Sequence, residues 1–68
     1  MEQWIAKAVG LMHIHRITQK QLAEKMGYTR EYIGMILNGK KSPPNIKERI
    51  FKAIDEILAE RKSANVSA

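Results

Sequence analysis

The chain has 68 residues, 44% of them hydrophobic, and a formal net charge of +5. That is enough for one small domain with one core, and too apolar for wholesale disorder. With no cysteine, disulfides, thiolate nucleophiles and thiolate metal sites are excluded, so the fold rests on packed helices or on a partner chain.

The charge is unevenly placed. Between Arg16 and Lys52 nine basic residues face three acidic ones, Glu24, Glu31 and Glu48, a local balance of +6. The remainder carries Lys7, Arg61 and Lys62 against Glu2, Asp55, Glu56 and Glu60, a balance of −1. A positive field over the middle of a small domain suits a polyanion, the alternative being a solvated lysine-rich surface. No apolar run approaches the length of a membrane span, and Met1 to Val9, with Glu2 and Lys7, does not resemble a signal peptide. The expectation is a soluble cytoplasmic protein that does not engage a membrane.

Trp4, Ile5, Ala8, Val9, Leu11 and Met12 recur at helical spacing, which predicts a first helix from about Glu2 to His15, weakened but not broken by Gly10. Thr18-Gln19-Lys20-Gln21 is a T-x-x-Q capping box, and Ile17 and Leu22 stand at the spacing of a hydrophobic staple. A second helix follows from about Gln19 to Met26, burying Leu22, Ala23 and Met26. Gly27 ends it as a left-handed cap. The same entry pattern then recurs: Tyr28 takes the staple position, Thr29 the cap, and Ile33 the fourth helical position. The third helix runs to about Leu37 or Asn38, burying Ile33, Ile36 and Leu37, and Gly39 closes it.

KKSPP reads as a loop, because two consecutive prolines and a serine oppose a helix. Asn45 is expected to cap a fourth helix, with Glu48 three residues on. Ile46, Ile50, Ala53, Ile54, Ile57 and Leu58 line one side of it, and it is expected to end near Glu60 to Lys62. The domain then comprises residues 1–62, and residues 63–68 form a flexible tail with little to bury. There is no strand-like alternation and no internal repeat.

Neither short middle helix is stable alone, so their value lies in the angle between them. Ala23 lets the third helix approach, Gly27 reverses the backbone and Ile33 fills the crossing, which is the physical content of a helix-turn-helix. With Ile33 and Ile36 inward, Glu31, Met35 and Asn38 point roughly opposite, flanked by Gly34, Arg30 and Tyr32. Such a mixed outer face suits base edges, which offer donors, acceptors and methyl groups together.

The stretch ITQKQLAEKMGYTREYIGMILNGKK resembles the helix-turn-helix of the phage repressor and Cro family, the Cro/cI or XRE type. The resemblance is carried by Thr18-Gln19, Leu22-Ala23-Glu24, Met26-Gly27, Thr29, Tyr32-Ile33, Ile36 and Asn38-Gly39-Lys40, and covers about Ile17 to Lys41 closely. It implies an all-α, four- to five-helix lambda-repressor-like domain that acts as a homodimer on palindromic double-stranded operator DNA and regulates transcription, most simply as a Cro-like repressor. It also implies that the third helix enters the major groove with Arg30, Glu31 and Met35 in base-reading positions, and that Tyr32 reaches a phosphate. Arg30 suits guanine or a phosphate. Glu31 suits a cytosine amino group or the helix dipole alone, and Met35 suits thymine methyls or is exposed without a role. Gly34 would admit a close sugar-phosphate approach unless its place reflects packing alone.

Backbone anchors are expected at Gln19 on the second helix, at Thr29, in the loop Asn38, Lys40, Lys41 and Ser42, and at Lys47. Leu37 departs from the family pattern, replacing the acidic residue common before the loop. The size is Cro-like, and equally that of an excised domain or of an antagonist using the same fold.

Phe51 and Leu58 lie at the edge of the fourth helix's apolar stripe. They either form an exposed ridge for a two-fold dimer or pack on the first helix. An enzyme is not expected: His13 and His15 diverge on a helix, no carboxylate pair joins them, and no phosphate loop or nucleophile motif is present. No cofactor and no metal are implied. The competing class is an antirepressor or adaptor that uses this fold to bind a protein partner.

Overall fold

In the computed structural model the backbone of residues 2–66 and the side chains of residues 2–63 are described. Four helices follow in order: α1 (Gln3–Ile14), α2 (Gln19–Met26), α3 (Arg30–Leu37) and α4 (Ile46–Val66), with no strand among the described residues. The all-α helix-turn-helix architecture is as expected, with four helices and no fifth among these residues.

The core takes its largest members from all four helices. Ile5, Leu22, Ile33, Ile36, Ile50 and Ile54 are each at most 2% exposed. Ala8 and Ala23 are buried among them, and their small size lets the helix axes come close. No polar or charged residue is buried among the described residues, so the interior makes no demand for hydrogen-bond partners. On α1 the inward stripe narrows to Ile5, Ala8 and Met12, while Val9 faces solvent and Ile14 is 72% exposed.

Helices α1, α2 and α3 stop in the same way. A residue with positive φ follows the last turn, and the next amide bonds back to a carbonyl five residues earlier. The three bonds are Ile17 to Met12 at 2.8 Å, Tyr28 to Ala23 at 2.9 Å and Lys40 to Met35 at 2.8 Å. This is the 6→1 bond of the Schellman turn. The left-handed residues are Arg16 (φ 56), Gly27 (φ 78) and Gly39 (φ 77). Glycine takes that conformation without a Cβ clash, whereas other residues lose roughly 1–2 kcal/mol there.

Gly27→Ala is therefore expected to destabilise the domain by about 1–2 kcal/mol. Gly10→Ala should stabilise it by roughly 0.5–1 kcal/mol, because Gly10 lies inside α1 and an added Cβ meets nothing within 4 Å. Thermal unfolding of both variants beside the parent checks the pair. Shifts in the same direction would contradict the assignment of the two glycines.

Two boundaries differ from expectation. Asn45 does precede α4 and its carbonyl accepts the Arg49 amide at 3.0 Å, as an N-cap's does, but its φ of 58 is left-handed where an extended cap was expected. Asparagine serves in either place because its short amide hydrogen-bonds locally in both. Helix α4 continues to Val66, past the expected end at Glu60 to Lys62. Residues 63–66 are thus helical, and residues 67 and 68 of the expected tail lie outside the described residues. An amphipathic helix can extend as an exposed rod without further burial, so the loss of apolar spacing did not mark its end.

Candidate nucleic-acid interface

The capping box at the start of α2 forms as expected. The Gln21 amide donates to Thr18 Oγ1 at 3.0 Å, and the Thr18 amide donates to Gln21 Oε1 at 2.9 Å. Neither bond involves the amides of Gln19 and Lys20, which belong to the positive end of the helix. Gln19 is exposed, and its side-chain oxygen lies 3.5 Å from where a Cβ would stand on Gly34. The bare backbone of Gly34 therefore sits beside the Gln19 amide, which joins the start of α2 to the middle of α3.

At the start of α3 the Tyr32 amide donates to Thr29 Oγ1 at 3.1 Å. Thr29 is occupied as a cap, and its hydroxyl proton is what remains for an external acceptor. Ile33, Ile36 and Leu37 face the core. Arg30, Glu31, Met35 and Asn38 are exposed, Met35 by 41%. Leu37 is buried beside Ile17 and Met12 at a cleft edged by Gln19, so an apolar contact stands where the family pattern commonly has an acid.

The turn after α3 displays Lys40, Lys41 and Ser42, all exposed. The amides of Lys40 and Lys41 both return to Met35 O, at 2.8 and 3.3 Å, which fixes the loop against the end of α3. Lys47 is exposed in the first turn of α4. Among the described residues the one ion pair joins Lys25 to Glu60, between α2 and α4. The hydrogen bond that Lys25 donates to Glu60, reinforced by the carboxylate charge, raises the Lys25 pKa above the usual 10.5. The cations around α3 are in no ion pair of the described residues, so their field is open to an anionic partner.

Two features were missed in the sequence. First, Arg61 near the end of α4 donates to the carbonyls of His15 and Arg16, the latter at 3.1 Å, and to Gln21 Oε1 at 3.3 Å. These bonds satisfy acceptors at the end of α1 and also hold the capping-box glutamine of α2. Arg61→Ala is expected to lower stability by about 1–2 kcal/mol, and Arg61→Lys to recover little of it, since lysine lacks the forked donors. Urea unfolding checks this; an Arg61→Ala midpoint equal to the parent's would remove the tie.

Second, the guanidinium of Arg49 lies over the Tyr28 ring, which in turn meets the Tyr32 ring edge-on. Of the two places left open for Phe51 and Leu58, the structure takes the packed one: both are half-buried against the core and do not form an exposed ridge. A side chain of α1 reaches Phe51: Lys7 Nζ stands 5.8 Å from its ring centre. Among the described residues, the large apolar side chains that do stand exposed are Val9, Ile14 and Met35.

Comparison with known families rests on this same segment. A model of the helix-turn-helix family matches residues 15–48, half of the chain, from the end of α1 into the first turn of α4.

The chain belongs to the XRE-type helix-turn-helix family.

It is thus a DNA-binding protein with a role in transcription regulation. The matched residues of this helix-turn-helix protein include both capped helix starts, the Gly27 turn and the Lys40–Ser42 loop. No curated protein and no solved structure gives a match. Among the described residues no helix is long and apolar enough to cross a membrane.

Proposed function

We propose that this helix-turn-helix protein is a Cro-like repressor that binds palindromic operator DNA in the cytoplasm as a homodimer and acts by covering a promoter. The observation that carries the reading is the two-sidedness of α3. Ile33, Ile36 and Leu37 fill the core, while Arg30, Glu31 and Met35 stand free between anchors at Gln19 and at Lys40 to Ser42. A short helix held this way can lay its leading end in a major groove while flanking amides and cations grip phosphates. In this reading Arg30 reads guanine, Glu31 a cytosine amino group and Met35 a thymine methyl. Gln19, Thr29, Tyr32, Asn38, Lys40, Lys41, Ser42 and Lys47 hold the backbone. The action is binding alone, with no catalytic step, cofactor or metal.

One such helix spans few base pairs, so useful specificity calls for two copies. The dimer surface in this proposal combines the uncovered parts of Phe51 and Leu58 with Ile14. Lys7 beside Phe51 and His15 bonded to Arg61 set α1 alongside α4, which brings Ile14 toward the Leu58 end. Sedimentation of Ile14→Asp and Phe51→Asp should give monomers from a dimeric parent. Ile14 is exposed enough to be changed without disturbing the core, and an unchanged state in both variants retires this interface.

Selection from random duplex DNA, read by sequencing, tests the function itself. A palindromic motif is the expected result. Recovery of no motif overturns the reading and favours an adaptor or antirepressor with a protein partner.

A further inference from the structure

The ladder of Arg49, Tyr28 and Tyr32 joins three elements at the mouth of α3. Arg49 Cζ is 5.2 Å from the Tyr28 ring centre. The Tyr28 and Tyr32 centres are 4.9 Å apart, with an interplanar angle of 69°. Tyr28 comes from the turn after Gly27, Tyr32 from the first turn of α3 and Arg49 from the first turn of α4. Both tyrosines are half-buried and packed on the core, so their rings are fixed, whereas Arg49 is exposed. Among the described residues Arg49 pairs with no carboxylate. A guanidinium over an aromatic face is attracted to the ring quadrupole, and its N–H donors remain available to a further acceptor.

We propose that Arg49 is a phosphate-binding residue of the DNA interface, positioned by Tyr28 and braced through Tyr32. It adds a grip on the phosphodiester backbone beyond Gln19 and the Lys40 to Ser42 loop. Its planar fork matches two phosphate oxygens, a contact that lysine, as a point charge, makes without the same orientation. Because Tyr32 belongs to α3, the ladder also links the seating of that helix to the phosphate it accompanies. The contact is with the backbone, so it strengthens all sequences alike. The inference rests on the proposed DNA-binding function.

The test is duplex binding across a salt series by the parent, Arg49→Gln, Arg49→Lys, Tyr28→Phe and Tyr28→Leu, with thermal unfolding of each. Arg49→Gln is expected to weaken every duplex sequence by about tenfold and to reduce the slope of log affinity against log salt by about one. Arg49→Lys should keep most of the slope but not the affinity. Tyr28→Phe should match the parent, and Tyr28→Leu should lose affinity with the slope nearly kept. If the parent binds and Arg49→Gln retains both affinity and slope, the ladder has no part in DNA contact, while the DNA-binding function stands. If Arg49→Gln behaves as expected but Tyr28→Leu matches the parent, the positioning role is overturned. A parent that binds no duplex at any salt overturns the function and the ladder together.

Discussion

Ile33→Ala is expected to destabilise the domain by about 2–5 kcal/mol, as truncation of a fully buried isoleucine generally does. Ile33 has no exposed surface, occupies the fourth position of α3 and shares the core with Ala23 and Leu22 of α2. A helical core residue of this kind loses its transfer energy on truncation and also leaves a cavity that the neighbours only partly fill. A domain of this length is stable by roughly 3–10 kcal/mol, so the loss takes a large share of the total. Thermal unfolding should show the midpoint falling by about 10–30 °C, since roughly 4–8 °C attends each kcal/mol in domains of this size. Ile33→Val removes one methylene and should lose only about 0.5–1.5 kcal/mol. Equal losses in the two variants would mean that Ile33 does not fill the crossing.

Arg30→Ala and Lys40→Ala should separate base reading from backbone holding. Arg30 is exposed at the first position of α3, the end that leads into the groove in the proposed mode. A two-pronged contact with guanine is worth about 1–3 kcal/mol of discrimination, so Arg30→Ala should flatten preference at one base position and spare the others. Lys40 sits in the loop that Met35 O fixes to α3, and in the proposed mode its cation would meet a phosphate of any sequence. Lys40→Ala should weaken all sites similarly and make the salt slope shallower by about one. Binding by both variants to a randomised site library distinguishes them. Uniform loss in both would reduce Arg30 to another phosphate contact.

What was legible in the sequence is what lies within a few residues of itself. Thr18 with Gln21, Thr29 with the Tyr32 amide, and Gly27 as a left-handed stop are all local chemistry, and the structure forms each of them. The inward places of Ile33 and Ile36 follow from helical periodicity alone. Arg16 was opaque for the opposite reason. Arginine has no preference for positive φ, and its conformation is supported by a Schellman turn and by Arg61, 45 residues away. The position of Asn45 before α4 was legible, but its positive φ was not, because asparagine suits both backbone conformations. Phe51 and Leu58 were ambiguous because a stripe's edge does not say which helix will cover it. Among the site residues, the exposure of Arg30, Glu31 and Met35 was legible, whereas the stacking of Arg49 on Tyr28 depends on a helix packing across the turn.

The forked bonds of Arg61 have a consequence for how a duplex is met. By holding Gln21 and the carbonyls before α2, Arg61 makes the far part of α4 and the near end of α2 a single stiff frame. In the proposed binding mode the start of α2 is then already in place before encounter, and little of its internal motion is surrendered on docking. In that mode capture would be a collision of preshaped surfaces, its speed governed by long-range attraction between opposite charges and slowed steeply by added electrolyte.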